Sequence, residues 1–166
     1  MHRRLPLALA AVSALLPLPL GAVLTSTFQV SASIIAGCLV VGGASTYGNL
    51  NFGSASALSS SVLTAALSGT TVTLQCTPGV SLNMAIDGGQ NNNGARNLKR
   101  SGGPQLLSYQ LFSDAGFSQA LGIGQTVAVS YSDPTAIMLP VYARTQPSGV
   151  LAAGSYTDVL QVTLSW

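Results

Sequence analysis

The sequence contains no glutamate, a single histidine (His2) and a single lysine (Lys99), and charged side chains make up 6% of its 166 residues. Those absences remove most catalytic chemistry. Without histidine or glutamate in the body of the chain, a hydrolase would need an aspartate pair or a Ser-Lys arrangement, and Lys99 lies in a stretch dense in Gly, Asn and Ser. An EF-hand calcium loop ends in a bidentate glutamate, so the Asp-Gly-Asn content near Asp87 does not supply one. Gly88-Gly89 and Gly102-Gly103 are turn signals, and neither opens a strand-loop-helix phosphate cradle. The sequence points to a protein that is not an enzyme and that uses no cofactor.

Long unbroken apolar runs are also missing. "MHRRLPLALAAVSALLPLPLGA" begins with Arg3 and Arg4, continues as an apolar run from Leu5 to Leu20, and ends in the small residues Gly21 and Ala22. Pro6, Pro17 and Pro19 interrupt the run, which falls short of the roughly 20 apolar residues that span a bilayer. Residues 1–22 are therefore expected to be a secretory signal cleaved after Ala22, and the mature product to be soluble or assembled outside the cytoplasm. Cleavage would remove His2, Arg3 and Arg4. Arg96, Lys99, Arg100 and Arg144 then balance Asp87, Asp114, Asp133 and Asp158, a formal charge of zero. Such a chain has no electrostatic case for nucleic acid or an anionic membrane. It also lacks the colloidal repulsion that keeps a monomer apart from its copies.

Two cysteines, Cys38 and Cys76, are present. In an exported chain an even count most simply forms a disulfide. A metal site needs three or four ligands and no mature histidine can contribute, while a redox pair favours C-x-x-C spacing.

What the sequence has in quantity is alternation. "TTVTLQC" sets Val72, Leu74 and Cys76 on one side, "SLNMAID" Leu82, Met84 and Ile86, "QLLSYQLFSD" Leu107, Tyr109 and Leu111, and "QTVAVSY" Val127, Val129 and Tyr131. "AIMLPVYAR" does the same with Ile137, Leu139 and Val141, its Pro140 indicating an edge or a bulge, and "TDVLQVTLSW" aligns Leu160, Val162, Leu164 and Trp166. The alternating serines and threonines read as an exposed face and not as nucleophiles. Only "LSSSVLTAALS" is ambiguous enough for a short helix. Several short strands punctuated by Gly, Asn, Ser and Pro, in a mature chain of about 144 residues, predict one all-β sandwich domain.

Two stretches stand out. "DGGQNNNGARNLKRSGGP", Asp87 to Pro104, carries Arg96, Lys99 and Arg100 and reads as a solvated, flexible hairpin loop, with an anion or adhesion patch as the functional alternative. "VLTSTFQVSASII", residues 23–35, places Leu24, Phe28, Val30, Ala32 and Ile34 opposite Thr25, Thr27, Gln29, Ser31 and Ser33. On the residues alone, such a first strand pairs within its own sheet.

The ordered blocks "FQVSASIIAGC", "YGNLNFG", "VTLQC", "MAIDGGQN", "LSYQLFSD", "LPVYAR" and "AGSYTDVLQVTLSW" together resemble the spore coat protein U domain, found in subunits of archaic (Csu-type) chaperone-usher pili. The resemblance spans essentially the whole mature chain; Ala143 and Ser113 stand where the family often has a Gly and an aromatic residue. It implies an immunoglobulin-like sandwich lacking its last strand and completed by a strand from another subunit. Residues 23–36 would be the N-terminal donor segment, with Leu24, Phe28, Val30, Ala32 and Ile34 as its inserted side chains. Residues 37–166 would be the pilin domain, with Leu160, Val162, Leu164 and Trp166 along the acceptor groove and no further strand after Trp166. The implied partners are a periplasmic chaperone, an outer-membrane usher and neighbouring pilus subunits, in a cell-surface pilus contributing to adhesion or biofilm formation. A secreted binding module (an adhesin) or a spore or cell coat protein are the alternatives; a tip adhesin would be expected to carry an additional receptor-binding domain.

Overall fold

A computed structural model describes residues 29–42, 47–68 and 73–166. The chain divides into two units, 1–34 and 35–166. The signal expected over residues 1–22 lies outside the described residues, as do Leu24 and Phe28.

Every regular element among the described residues is a strand: β1 (Cys38–Val41), β2 (Asn49–Leu50), β3 (Leu63–Ser68), β4 (Thr73–Cys76), β5 (Leu82–Ile86), β6 (Arg96–Arg100), β7 (Leu106–Phe112), β8 (Val127–Val129), β9 (Tyr142–Thr145), β10 (Tyr156–Thr157) and β11 (Val162–Ser165). All pairings are antiparallel. They build a six-stranded sheet in the order β10-β6-β7-β9-β3-β2, a three-stranded sheet β11-β5-β8 and a two-stranded sheet β1-β4.

The alternation in the sequence becomes the burial pattern. Leu74 and Cys76 on β4, Leu82, Met84 and Ile86 on β5, Tyr109 and Leu111 on β7 and Val129 on β8 are buried, and with Ile137, Leu139, Val141 and Ala143 they form one shared core. Side chains spaced by two point to the same face of a strand, so each period-2 run supplies one wall of that core. Ala143, fully enclosed, sits in register between Ala65 of β3 and Leu111 of β7.

Three expectations need correction. "LSSSVLTAALS" yields β3, because its tertiary neighbours β9 and β2 favour an extended backbone over its weak helical propensity. "AIMLPVYAR" is not one strand: Ile137 makes an isolated bridge to Leu74, and regular pairing begins at Tyr142, beyond the proline, which has no N–H to donate to a ladder. The 87–104 stretch is not a solvated loop. It contains β6, which pairs with both β7 and β10, and its Arg96 and Asn97 are each 4% exposed.

Candidate functional site

Among the described residues β2, β8 and β10 end their sheets, and so do β1 and β11, which bear on the predicted groove. β11 pairs with β5, Val162 opposite Ile86 and Leu164 opposite Met84. Since β5 is flanked by β8 on its other side, β11 is the edge of its sheet. β1 pairs with β4 in a register that places Cys38 opposite Cys76, and β1 is likewise an edge. An edge strand presents unpaired N–H and C=O groups along its outer side.

The sequence-predicted groove residues divide. Leu160, Val162 and Leu164 are half-buried and packed against the core, so the row is anchored yet incompletely covered. Trp166 is 60% exposed, unlike a residue facing a closed interior. Its indole lies beside Gly37: a Cβ at Gly37 would stand 3.5 Å from Trp166 Nε1. The residue preceding β1 and the residue following β11 are thus neighbours. On β1, Leu39, Val40 and Val41 are 64%, 51% and 40% exposed. Consecutive strand residues point to opposite faces, so this strand leaves apolar surface bare on both.

β1 is nonetheless firmly attached. A disulfide joins Cys38 and Cys76, and immediately beside it the Thr77 N–H donates to Gly37 O at 2.9 Å while the Gly37 N–H donates to Thr77 Oγ1 at 3.2 Å. On its other side β4 continues into residues 134–137, with the Cys76 N–H donating to Pro134 O and the Ile137 N–H to Leu74 O. Covalent and backbone ties therefore fix one bare edge, and the β5 ladder fixes the other.

Of the expected donor side chains, Val30, Ala32 and Ile34 are described, and the structure does not make them a strand. Residues 29–37 have no regular element, and Val30 and Ile34 are exposed. Alternation alone does not hold an extended segment in place; a strand needs a ladder partner.

Two of the three basic residues of the 87–104 stretch, Arg96 and Arg100, are engaged by main-chain carbonyls, and Lys99 is exposed. Arg96 donates from Nε to Asp87 O (2.8 Å), from Nη1 to Leu121 O (2.6 Å) and from Nη2 to Ile86 O (2.8 Å) and Gly122 O (3.2 Å). Burial works against its charge and lowers its pKa, while Tyr109, Asp87 and Asp158 nearby oppose that effect. Arg100 donates to Ala153 O. Arg144 lies over the rings of Phe112 and Phe117, 5.1 and 5.8 Å from their centroids. Asp158 accepts from Tyr109 Oη at 2.7 Å, and burial pushes the Tyr109 phenol far above its ordinary value. Sequence reasoning missed this polar framework because buried arginine and aspartate look like surface residues without their partners. A 660 Å³ cavity opens beside Leu50, Phe52, Leu98 and Leu151, and Asp158, already engaged, is its only charged lining residue. Among the described residues no three His, Cys, Asp or Glu side chains converge as a metal site.

The fold and site define an all-β, immunoglobulin-like domain in which, among the described residues, two edge strands, β1 and β11, have neighbouring ends at Gly37 and Trp166. Residues 24–163 match the Spore Coat Protein U domain, and the chain belongs to that family. It is similar to a chain in the crystal structure of the CsuC–CsuE chaperone–tip adhesion subunit pre-assembly complex from the archaic chaperone-usher Csu pili of Acinetobacter baumannii. That similarity has a TM-score of 0.50 at 12% identity and covers 80% of this chain but 40% of that one. A weaker similarity, TM-score 0.41 at 17% identity over 77% of this chain and 41% of the other, is to a chaperone–tip adhesin complex of CFA/I fimbriae biogenesis. No functionally curated protein matches the chain.

Proposed function

We propose that this protein is a structural subunit of an extracellular chaperone-usher pilus, built by donor-strand exchange. The observation that carries the reading is the pair of open edges, β1 and β11, whose ends meet at Gly37 and Trp166. A strand added along β11 would pair its outer backbone groups and cover the half-buried row Leu160, Val162 and Leu164, with alternate side chains supplying specificity. The N-terminal segment 23–36 of a neighbouring subunit has the matching chemistry. Leu24, Phe28, Val30, Ala32 and Ile34 alternate with polar residues, and at roughly 25 cal/mol per Å² of apolar surface the four from Phe28 to Ile34 contribute several kcal/mol before ordering costs. Its described part, unstructured and exposed, suits a strand that folds on its acceptor.

Residues 1–22 would direct export and be removed, a periplasmic chaperone would cover the open edge of 37–166, and an outer-membrane usher would exchange the chaperone for the next subunit. The contact is head to tail and does not close on itself, so repetition yields a filament. Adhesion or biofilm formation is the role such a filament serves at the cell surface. The test is electrophoresis of unboiled mature protein with and without residues 23–34. A ladder of detergent-resistant multimers, lost on truncation, supports the proposal. A monomer from both forms overturns it in favour of a self-contained secreted binding module.

A further inference from the structure

The segment joining β10 to β11 crosses from the six-stranded to the three-stranded sheet, and two aspartates hold it. Asp87, just past β5, accepts the Gln161 N–H on Oδ1 at 2.9 Å and donates its own N–H to Gln161 O at 3.0 Å. This pair extends the β5–β11 ladder by one rung beyond Val162. Asp158 is held from the other direction. Its Oδ1 accepts the Asn91 N–H (3.2 Å) and Asn91 Nδ2 (2.9 Å), and its Oδ2 accepts the Tyr109 hydroxyl, which rises from the core of β7. Gln90 N–H donates to Val159 O, and Asn91 Nδ2 also donates to Thr157 O.

The loop's glycines make the approach possible. A Cβ at Gly89, whose φ is +80°, would overlap the Asp158 carboxylate, and one at Gly88 would overlap the Asn92 side chain. Arg96 fixes the base of the same loop through the carbonyls of Ile86 and Asp87. Residues 87–91 thereby form a clasp around 157–161, on the side of the chain leading into β11.

We propose that this Asp87–Asp158 clasp is a positioning device that holds β11 as a preformed acceptor edge. This rests on the reading of β11 as the strand that receives a donor. β11 is four residues long and has one ladder partner, a combination that frays. An incoming strand can add only to an edge that is already extended and in register, so any population of frayed β11 slows capture in proportion. Asp158 ties the lead-in of β11 to the core through Tyr109, and Asp87 sets its register against β5. Both are positioning residues, acting through the backbone of 159–164.

The experiment compares D158A, D158N, D87A and N91A in the full mature chain by hydrogen exchange, reading the peptide covering 159–166 against the peptide covering β7. The clasp predicts exchange in 159–166 faster by at least about tenfold in D158A, with β7 little changed. D87A and N91A should show smaller local increases. D158N keeps an oxygen for Asn91 and a group that can pair with the Tyr109 hydroxyl, so it should return exchange most of the way to the parent. Multimer formation should slow in the order of the exchange increases. Equal acceleration of β7 and 159–166, or none at 159–166, overturns the positioning role; should D158A not fold, N91A decides by the same comparison. Exchange is read without assembly, so a local effect in a protein that never forms multimers would leave the clasp standing and remove the donor-strand reading instead.

Discussion

At position 96 a guanidinium occupies a place where an aliphatic side chain would strand the carbonyl oxygens of Asp87 and Leu121 and take one of two donors from those of Ile86 and Gly122, which also accept the Gly124 and Gln125 N–H groups. A buried acceptor left without a donor costs about 1–3 kcal/mol. R96M should therefore destabilise the protein by at least about 2 kcal/mol, with R96K recovering only part of the loss because an ammonium cannot fan its donors to four acceptors; urea denaturation midpoints read the difference. A second residue-scale prediction concerns acid. Asp114 accepts the N–H groups of Gln119 and Ser118 and the Ser118 hydroxyl, and these bonds, the Gln119 N–H foremost, hold its carboxyl below the ordinary value. A depressed pKa in the folded state contributes stability above the unfolded pKa and loses it as pH falls through the folded one. The stability gap between the parent and D114N should be complete at neutral pH, shrink below about pH 4 and vanish once the native carboxyl is protonated. A gap that grows on acidification would contradict the assignment.

Among the elements, β5, β7 and β8 were legible because each buries one face and period-2 alternation reports that directly. β6 was not: its buried residues are Arg96 and Asn97, one on each face, and they are held by carbonyls and a side chain that the alternation of the sequence does not report. β1 was hidden for the opposite reason, since "CLVV" is apolar throughout and its exposure follows from having one neighbour. The even cysteine count did foretell its staple, Cys38–Cys76. A disulfide closing a loop of this size restricts the unfolded chain by about 4 kcal/mol. The double variant C38S/C76S should lose about that much in denaturant titrations. Its hydrogen exchange should quicken at β1 and leave β5 comparatively unchanged, because β1 otherwise depends on β4 and Thr77 alone. At the candidate site the alternation of "TDVLQVTLSW" was legible in the half-buried Leu160, Val162 and Leu164, while the exposure of Trp166 beside Gly37 depends on a neighbour remote in sequence.

For the whole molecule, the balance of charge sets an expectation about assembly. If residues 1–22 are removed as proposed, four basic and four acidic side chains remain, and Arg96, Arg100 and Arg144 are engaged by carbonyls or aromatic rings. Association driven by strand pairing and apolar burial should then be nearly indifferent to salt. Multimer formation at low and at high sodium chloride should differ by less than about threefold, where phosphate-type electrostatic binding would change by orders of magnitude. Light scattering across a salt series checks this, and a steep dependence would place charged contacts at the centre of assembly.

The distance along the chain between the two open edges also sets an order in time. β1 and its disulfide partner lie within the first 76 residues, while β11 does not begin until Val162. If the chain is exported, as the proposed function requires, the Cys38–Cys76 loop can be sealed while β5 still waits for its outer neighbour, and pairings this remote in sequence are slow to form. During that interval Met84 and Ile86 lack the cover of the strand that pairs with β5, and an exposed apolar row is what proteases and aggregation act on. The vulnerable period in this protein's life is therefore the interval before β11 has caught up with β1.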